Sequence, residues 1–293
     1  MKATVIGLGL IGGSIALDLK KAELVTHIAG IDLNREHTEE ALKLGLVDEI
    51  VNPAAVKDMD LVVMAIPVSA LVKMLPGILD AVPNHAVVID AGSTKSQICK
   101  AVANHPNRAQ FVASHPIAGT ENSGPAAAFS GLFRNKTNII CERELTSPAA
   151  LEVALKVFDA LGMNTIFMEP EEHDRHVAYV SHLSHVSSFL LGQTVLDIER
   201  DEKNIFDLAG SGFASTVRLA KSSPDMWAPI FEQNAEYLSQ ALLEYIMHLQ
   251  RFQYHLMKRD TKELHKIMTE ANRIREILNG IELKQPKPSI VNK

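Results

Sequence analysis

Residues 4–14 constrain the fold of this chain more than any other stretch. Thr4-Val5-Ile6 are β-forming residues, and Gly-Leu-Gly-Leu-Ile-Gly-Gly-Ser follows them at 7–14. An apolar pattern with helical spacing begins directly afterwards at Ile15. A strand, a Gly-x-Gly-x-x-Gly turn and a helix in this order are typical of a dinucleotide-binding unit, in which the turn lies against a pyrophosphate.

The glycines of this motif have separate functions. Gly7 permits the tight turn, Gly9 lacks the Cβ that would block a pyrophosphate, and Gly12 lets the helix pack closely on the strand. The free N–H groups at the start of the helix face the phosphates. We therefore expect a cofactor loop that is made of Gly7, Leu8, Gly9, Leu10, Ile11 and Gly12.

The second predicted strand, 27–32, ends in an acidic residue. Asp32 follows Gly12 by 20 residues, and a carboxylate at this separation accepts hydrogen bonds from the adenosine ribose. The same carboxylate would repel a 2′-phosphate, so the pattern predicts NAD as the cofactor rather than NADP. Arg35 lies close by in the sequence and would weaken this preference.

Short apolar runs of strand length alternate with helical patterns up to residue 169. This alternation predicts a mostly parallel, doubly wound sheet. Beyond that point the strand signals stop and helical patterns take over. We expect an α/β N-terminal Rossmann-like domain over 1–169, an all-α C-terminal dimerisation domain over 170–282 and a flexible tail over 283–293.

Four long helices are expected in the all-α part, at about 171–199, 204–219, 224–257 and 261–280. They are too long and too apolar for a small free bundle. Segments such as 238–249 carry more apolar surface than one subunit is able to cover. We therefore expect the helical half to form a homodimer.

Composition excludes several classes of function. The 293 residues carry a net charge of −6, which argues against a nucleic-acid-binding surface. No apolar run approaches the roughly 18 residues that span a bilayer, and the N-terminal glycines do not suit a signal peptide. Cys99 and Cys141 lack metal-ligand spacing and suit a reducing compartment. A cytoplasmic protein without nucleic-acid or membrane partners is expected.

Ligands of a doubly wound sheet bind beyond the carboxyl ends of its strands. Three predicted loops at that edge carry reactive groups. They are 66–69, which begins with Ile66 and Pro67, 92–95 and 115–119. His115 follows a predicted strand directly, where a histidine with an ordinary pKa of about 6.5 acts as a general base near neutral pH.

Ser93 follows the preceding strand and is the expected partner that orients the His115 imidazole. Each residue also has a purely structural interpretation. His115 alone is better explained by a structural hydrogen bond in a loop, and Ser93 is equally well explained by capping a short helix. Both alternatives stay open at the level of the residue pattern.

A second group of polar residues lies in the helical half. His173-Asp174 is followed by His182 and His185, which are one helical turn apart. Asp174 and His185 are expected to share a helix face. A metal site is one interpretation, but zinc ligands on one helix more often lie at i, i+4. The favoured interpretation is a polar helix face that lines a substrate cleft without metal. It is preferred over a metal site and over solvated surface histidines.

Arg218 ends a glycine-rich segment, 210–217. The guanidinium fork suits bidentate binding of a substrate carboxylate. An arginine that forms an exposed ion pair explains the same pattern equally well.

Taken in order, these motifs resemble the prephenate/arogenate dehydrogenases of tyrosine biosynthesis. The resemblance rests on the glycine loop at 7–14, His-Pro-Ile-Ala-Gly-Thr-Glu at 115–121, His-Leu-Ser-His-Val at 182–186 and the segment 218–227. It covers roughly residues 1 to 280 with family-like spacing. The histidine run and the double-histidine helix make it specific, because the glycine loop alone is common to many dehydrogenases.

The resemblance implies roles for individual residues. His115 would contact the ring hydroxyl of the substrate, with Ser93 supporting it beside the nicotinamide. Arg218 would bind a substrate carboxylate, and His185 would line the same pocket. The expected substrate-binding residues are Arg218, His185, His182, Thr120 and Glu121, and the expected cofactor contacts outside the glycine loop are Asp32, Ile66, Pro67 and Ser93.

The implied reaction is NAD-dependent oxidative decarboxylation of prephenate to 4-hydroxyphenylpyruvate by a homodimer. An arogenate dehydrogenase is the first alternative, and Glu121 is the acidic residue that would favour it. A second is a hydroxyacid or imino-acid enzyme with 6-phosphogluconate-dehydrogenase-like architecture, whose catalytic lysine has no counterpart in the first long helix before Lys203. An NAD-sensing binding protein without catalysis is a third.

Overall fold

Residues 1–201 and 204–284 are described by the computed structural model of the chain. Their strands form a sheet with the order β3-β2-β1-β4-β5-β6-β7-β8. The strands are β1 (Lys2–Ile6), β2 (His27–Ile31), β3 (Glu49–Ile50), β4 (Leu61–Met64), β5 (Val87–Asp90), β6 (Phe111–Pro116), β7 (Thr137–Cys141) and β8 (Asn164–Met168). Neighbouring strands are parallel except β6 and β7, which run antiparallel. The predicted doubly wound α/β sheet is confirmed.

Helices connect the strands and make up the second half of the chain. In the first half they are α1 (Leu10–Lys21), α2 (Arg35–Lys43), α3 (Val68–Ala81), α4 (Ser96–Val102) and α5 (Pro148–Ala160). In the second half they are α6 (Pro170–Val177), α7 (Leu183–Asp201), α8 (Ser211–Thr216), α9 (Pro224–Gln233), α10 (Ala235–Met257), α11 (Thr261–Ala271) and α12 (Ile274–Lys284). The first helix of the sheet begins directly after the glycine turn, as the motif predicts.

Both faces of the sheet are covered by apolar cores, because successive strand residues point to opposite faces. In β4, Leu61 and Val63 belong to one core, and Val62 and Met64 to the other. The first core includes buried side chains of α1 and α5, and the second those of α3 and α4. Continuous apolar runs such as the one in β4 are what a parallel strand with two covered faces requires.

The strand order reverses between β1 and β4, which creates the crevice where doubly wound sheets bind their ligands. The carboxyl ends of β1, β4, β5 and β6 lie at the same edge because these strands are parallel. The loops that begin at Gly7, Ala65, Ala91 and Ile117 therefore meet at one edge of the sheet.

The long predicted helices are interrupted. The expected helix 171–199 contains a π-helical turn, Ala178–His182, between α6 and α7. The expected helix 204–219 is wrong as a continuous element, since 3-10 turns at Ile205–Leu208 and Arg218–Lys221 flank the short α8. The described parts of 224–257 and 261–280 each form two helices. Apolar periodicity does not predict such breaks, because it reports the spacing of apolar residues and not the backbone hydrogen bonds that define each turn.

The described residues fall into two compact units, one up to Leu238 and the other from Ser239 onward. The first contains α9, whose buried Trp227 and Ile230 belong to the core that also includes α3 and α4. The expected domain boundary at 169/170 stays a prediction. The expected tail, 283–293, lies outside the described residues except for its first two, which end α12.

None of the helices in the described chain combines the length and the apolar character that crossing a membrane requires.

Candidate active site

The glycine turn has the geometry that its sequence predicts. Gly7 has a φ of +94°, and a Cβ on it would lie 2.3 Å from the carbonyl oxygen of Ala65. A Cβ on Gly12 would lie 1.9 Å from the carbonyl oxygen of Gly7. The nearest atom to a Cβ on Gly9, by contrast, is the nitrogen of Gly124 at 4.0 Å. Gly7 and Gly12 are thus required by the protein's own packing, whereas Gly9 borders open space.

That open space lies at the N-terminus of α1. Gly9 is the N-cap residue and offers no side-chain hydrogen bond, so the first N–H groups of the helix lack intrahelical partners. A space that a Cβ would fill, next to free N–H groups and the positive end of a 12-residue helix, fits a pyrophosphate. The residues present therefore fit a bound dinucleotide.

Asp32 lies beside the turn at the end of β2. Its Oδ2 accepts a hydrogen bond from the N–H of Leu8 at 2.8 Å, and its Oδ1 accepts one from Asn34 at 2.8 Å. The Leu8 N–H is therefore occupied by Asp32, so Leu8 contributes to the predicted cofactor loop by holding this carboxylate. The Arg35 side chain is 90% exposed, and its Nε lies 2.8 Å from Oε1 of Glu39, one turn further along α2.

The other predicted cofactor residues lie at neighbouring strand ends. Ile66 is half-buried, and Pro67 is exposed at the start of α3 after β4. Leu10 and Ile11 form the first turn of α1. Their contacts with a cofactor stay predictions.

His115 lies near the end of β6, opposite Ile139 of β7. Its Nδ1 is 2.8 Å from Nε2 of His173, and Nδ1 of His173 is 2.8 Å from Oδ1 of Asp174. His173 is fully buried and Asp174 is 1% exposed. Burial, with the neighbouring His173, Lys95 and His182, lowers the pKa of His115 well below 6.5. His115 is therefore neutral at pH 7, as a general base must be.

The expected role of Ser93 as the group that orients His115 stays a prediction. Ser93 is half-buried in the loop after β5, and among the described residues it forms no hydrogen bond with His115. The side chain that contacts His115 Nδ1 is His173, which the packing of α6 against α4 brings close. A location of Ser93 beside the nicotinamide stays a prediction. The neighbouring Thr94 bonds Oε1 of Gln233 through its hydroxyl at 2.7 Å.

Asp174 also caps α4. Its Oδ1 accepts the N–H of Lys95 at 2.7 Å, and its Oδ2 accepts the N–H of Ser96 at 2.8 Å. Burial alone would raise the pKa of Asp174, but hydrogen bonds and charge from His173 and these two amides lower it. The carboxylate is therefore ionised, and it joins the loop after β5 to α6.

A buried ion pair lies beneath these residues. Lys95 and Asp90 are both 0% exposed, and the Lys95 ammonium contacts the Asp90 carboxylate and donates to the carbonyl oxygen of Ser114 at 2.6 Å. The N–H of Ser114 donates to the same carboxylate at 2.9 Å. The pair thus joins the ends of β5 and β6 directly before His115. The sequence predicts Lys95 only as part of the loop 92–95, because no local pattern marks a lysine as buried.

His182 and His185 lie in and after the π-helical turn. His182 is 1% exposed, and its Nδ1 is 3.0 Å from the amide nitrogen of Asn234, which also donates to the carbonyl oxygen of Asp174 at 2.8 Å. Burial lowers the pKa of His182 to about 4. His185 bonds the carbonyl oxygen of Ser181 at 3.0 Å and stacks on Trp227 with centroids 3.5 Å apart.

The expectation that Asp174 and His185 share one helix face is wrong. The π-helical turn between them changes the register, so Asp174 faces α4 while His185 stacks on α9. No group of three or more His, Cys, Asp or Glu side chains that could hold a metal ion occurs in the described part of the chain. His182 contacts Asn234, and His185 contacts Ser181 and Trp227.

Arg218 begins a 3-10 turn and pairs with Glu121 in the loop after β6. Its Nη1 donates to Oε2 of Glu121 at 3.0 Å, and the two side chains are 51% and 28% exposed. Thr120 is exposed and accepts the N–H of Asn122 at 3.2 Å. The structure thus brings Arg218 and Glu121 together, 97 residues apart in sequence.

Comparisons with known proteins extend over both halves of the chain. The family model described as prephenate dehydrogenase, nucleotide-binding domain, matches residues 15–167, and the one described as prephenate dehydrogenase, dimerization domain, matches 169–270. The prephenate dehydrogenase of Bacillus subtilis is 34% identical over 97% of this chain and 78% of its own length.

Solved structures agree in fold. Prephenate dehydrogenase from A. aeolicus, in complex with hydroxyphenyl propionate and NAD+, aligns with a TM-score of 0.85 and 30% identity over 95% of this chain and 98% of that one. Synechocystis arogenate dehydrogenase aligns with a TM-score of 0.75 and 27% identity over 95% and 100% of the two chains. The sequence motifs, the fold and these matches together show that the chain belongs to the prephenate dehydrogenase family.

Proposed function

We propose that this chain catalyses the NAD-dependent oxidative decarboxylation of prephenate to 4-hydroxyphenylpyruvate. The observation that carries the proposal is His115: a neutral imidazole at the carboxyl end of β6, held on one side by a buried His–Asp pair. It lies at the sheet edge that also carries the glycine turn. A base and a dinucleotide cradle at one edge are what oxidation of an alcohol requires.

Prephenate has a ring hydroxyl at C4 and a carboxylate at C1. His115 takes the hydroxyl proton while hydride leaves C4, which turns the C4 hydroxyl into a ketone. Bound NAD+ supplies the hydride acceptor. The ketone is conjugated to C1, so the C1–carboxylate bond breaks with its electrons entering the ring. Aromatisation makes the overall reaction irreversible.

The remaining residues bind and orient the substrate and cofactor. Arg218 binds a substrate carboxylate through the guanidinium N–H groups that its pair with Glu121 leaves unoccupied. His182, His185 and Thr120 line the substrate site, and Ser93 lies beside the nicotinamide. Gly7, Gly9, Leu10, Ile11 and Gly12 form the pyrophosphate cradle, Ile66 and Pro67 border it, and Asp32 accepts the ribose hydroxyls.

Arogenate is the second candidate substrate, because one similar structure is an arogenate dehydrogenase. Arogenate carries an ammonium group where prephenate carries a keto oxygen, so its binding requires an acidic partner. Glu121 is the candidate, but its carboxylate is paired with Arg218. This pairing favours prephenate.

We also propose a homodimer formed through the helical half, located in the cytoplasm. The match to a dimerization domain over 169–270 supports the homodimer. Apolar side chains exposed on α10 also support it, namely Leu243, Ile246, Met247, Leu249 and Leu256. The buried free thiols of Cys99 and Cys141 suit a reducing compartment.

A steady-state comparison tests the proposed function. NADH and CO2 should form in a 1:1 ratio from prephenate with NAD+, with kcat/KM at least about tenfold above that for arogenate, a difference of about 1.4 kcal/mol. Equal kcat/KM for the two substrates would make the enzyme a dual-specificity dehydrogenase. If neither prephenate nor arogenate gives NADH, the assignment is refuted.

A further inference from the structure

The contacts of His115 extend beyond the base itself. They run from His115 to His173 and on to Asp174, away from the open edge of the sheet and into the interior. We propose that these three residues form a proton relay, in which the proton taken from the substrate hydroxyl rests on His173 until aromatisation returns it. The inference rests on the proposed function and adds His173 and Asp174 as positioning residues.

The hydrogen bonds determine which nitrogen of each ring carries a proton. Asp174 is an ionised acceptor with three donors, the N–H groups of Lys95 and Ser96 and the Nδ1 of His173. His173 therefore carries its proton on Nδ1, which leaves a lone pair on Nε2. That lone pair is 2.8 Å from Nδ1 of His115, so His115 must donate through Nδ1.

This assignment leaves Nε2 of His115 with a free lone pair. No other described residue bonds that nitrogen, so it is available to a substrate hydroxyl. The chain of contacts thus fixes the base in the tautomer that accepts a proton. A single structural hydrogen bond from Nδ1–H of His115 to a backbone carbonyl would fix the same tautomer, but it would offer no place for the proton to go.

The reaction itself needs temporary storage of one proton. The C4 oxygen of the substrate begins as a hydroxyl and ends as the phenol hydroxyl of the product, so the proton that leaves it must return. In the forward step the O–H bond breaks and Nε2–H of His115 forms. At the same time Nδ1–H of His115 breaks and Nε2–H of His173 forms. The hydride carries its two electrons to the cofactor.

After this step His115 is neutral and donates Nε2–H to the new ketone oxygen. That hydrogen bond supports electron flow from the breaking C1–carboxylate bond into the ring. The phenolate oxygen then takes the proton from Nε2, and the proton on His173 returns to Nδ1 of His115. Atoms and charges balance, and the relay ends in its starting state.

Charges around the two rings favour the proton on His173. Burial lowers the pKa of His115, and the charge of Lys95 opposes a positive charge on either ring. Burial lowers the pKa of His173 as well, but the hydrogen bond and charge of Asp174 act to raise it. Asp90, paired with Lys95, acts in the same direction on His173. The cation is thus better placed on the inner ring, in contact with a carboxylate.

The tautomers are directly measurable in the unliganded protein, whatever its substrate. We expect 15N spectra of histidine-labelled protein, with resonances assigned by loss in H115N and H173Q, to show both rings protonated on Nδ1 at pH 7.5. A signal from His115 or His173 protonated on Nε2 alone would overturn the relay.

Kinetics of H173Q test the transfer itself. Glutamine reaches the position of Nε2 and accepts a hydrogen bond there, but it cannot take up a proton. We expect kcat to fall about tenfold or more, with KM for prephenate changed less than about twofold. In an H115N background the same substitution should cause no further loss, whereas a structural role would make the two losses additive.

D174N separates charge from packing. The acid limb of kcat/KM reports protonation of the His115–His173 pair. In D174N the protonated pair no longer lies beside a negatively charged carboxylate, so its pKa falls. The limb should therefore move to lower pH while kcat falls about tenfold or more. D18N is the matched control, because Asp18 is also buried and accepts Ser130 and Gly131. It should leave kcat and the limb unchanged.

The outcomes separate the two proposals. Normal kcat in H173Q and an unmoved limb in D174N, in an enzyme that oxidises prephenate, would overturn the relay and leave the function intact. Failure of the wild type to oxidise prephenate would refute the function, and the 15N spectra would still decide the hydrogen-bond chain.

Discussion

At the scale of single residues, the site combines side chains whose roles follow from their contacts. Asp32 is an example. Both of its oxygens are held by backbone N–H groups, and its side chain is 13% exposed. The carboxylate is thus fixed beside the glycine turn and cannot move away from a 2′-phosphate.

This fixed carboxylate predicts the choice of cofactor. The wild type should use NAD+ with kcat/KM at least about tenfold above that for NADP+, because a 2′-phosphate would face Asp32. D32N should lower kcat/KM for NAD+ and raise it for NADP+. D48N is the matched control, since Asp48 accepts the N–H of Ile28 near the start of β2, away from the turn. Equal use of both cofactors by the wild type would contradict the assignment.

Arg218 predicts a change in substrate binding alone. R218A should raise KM for prephenate about 30-fold, which corresponds to the loss of about 2 kcal/mol for a charged pair. KM for NAD+ should change less than about twofold. R143A is the control, because Arg143 has a similar exposure of 52% and pairs with Glu144. A KM for prephenate near the wild-type value would make Arg218 a surface ion-pair residue.

The sequence predicts some of these residues and not others. Gly7, Gly12 and Asp32 occupy a local motif whose spacing encodes its geometry, so their positions follow directly from sequence. The partner of His115 does not, because His173 is 58 residues away and only the packing of α6 brings it close. The sequence marks His173-Asp174 as a candidate pair, but it does not predict the contact of His173 with His115.

At the scale of elements, the π-helical turn Ala178–His182 has a clear consequence. It inserts one residue per turn relative to an α-helix, so the residues after it rotate. His173 and Asp174 before the turn face α4 and His115, while His185 after it stacks on Trp227. Sequence periodicity predicts one continuous helix here and misses this rotation.

Deletion of Val180 tests this element. Val180 is 77% exposed within the turn, and its removal should restore α-helical register. His185 would then rotate away from Trp227, and we expect KM for prephenate to rise at least about tenfold while NAD+ binding persists. V180A keeps the chain length and should retain wild-type kinetics. Unchanged kinetics in the deletion variant would show that the turn does not position the site.

At the scale of the whole molecule, sequence predicts the class of fold because every level of pattern agrees. Apolar runs, helix-capping residues such as Ser147 and the change of pattern near 169 all indicate a doubly wound sheet followed by helices. The short strand β3 and the breaks at Asn234 and Asn272 were not predicted. They depend on tertiary packing, which the local pattern does not encode.

Association of two subunits is the prediction at this scale. The wild type should sediment as a dimer at micromolar concentration, because α10 exposes several large apolar side chains. L249E places a charge on one of them, 51% exposed, and should weaken the dimer about tenfold or more. Q250E adds the same charge at an exposed polar position and should not. A monomeric wild type would contradict the proposed assembly.

The central claim is tested most directly by the pH dependence of kcat/KM, measured in the wild type and in H115N. The kcat of H115N is measured alongside. The base must be neutral, and burial lowers its pKa well below 6.5. Activity with prephenate and NAD+ should therefore be constant from pH 6.5 to pH 8 and fall only as the coupled pair of His115 and His173 is protonated at lower pH. H115N should bind NAD+ normally, lose about 10²–10⁴ in kcat and lose the acid limb. An H115N enzyme that keeps both wild-type kcat and the acid limb would contradict the account.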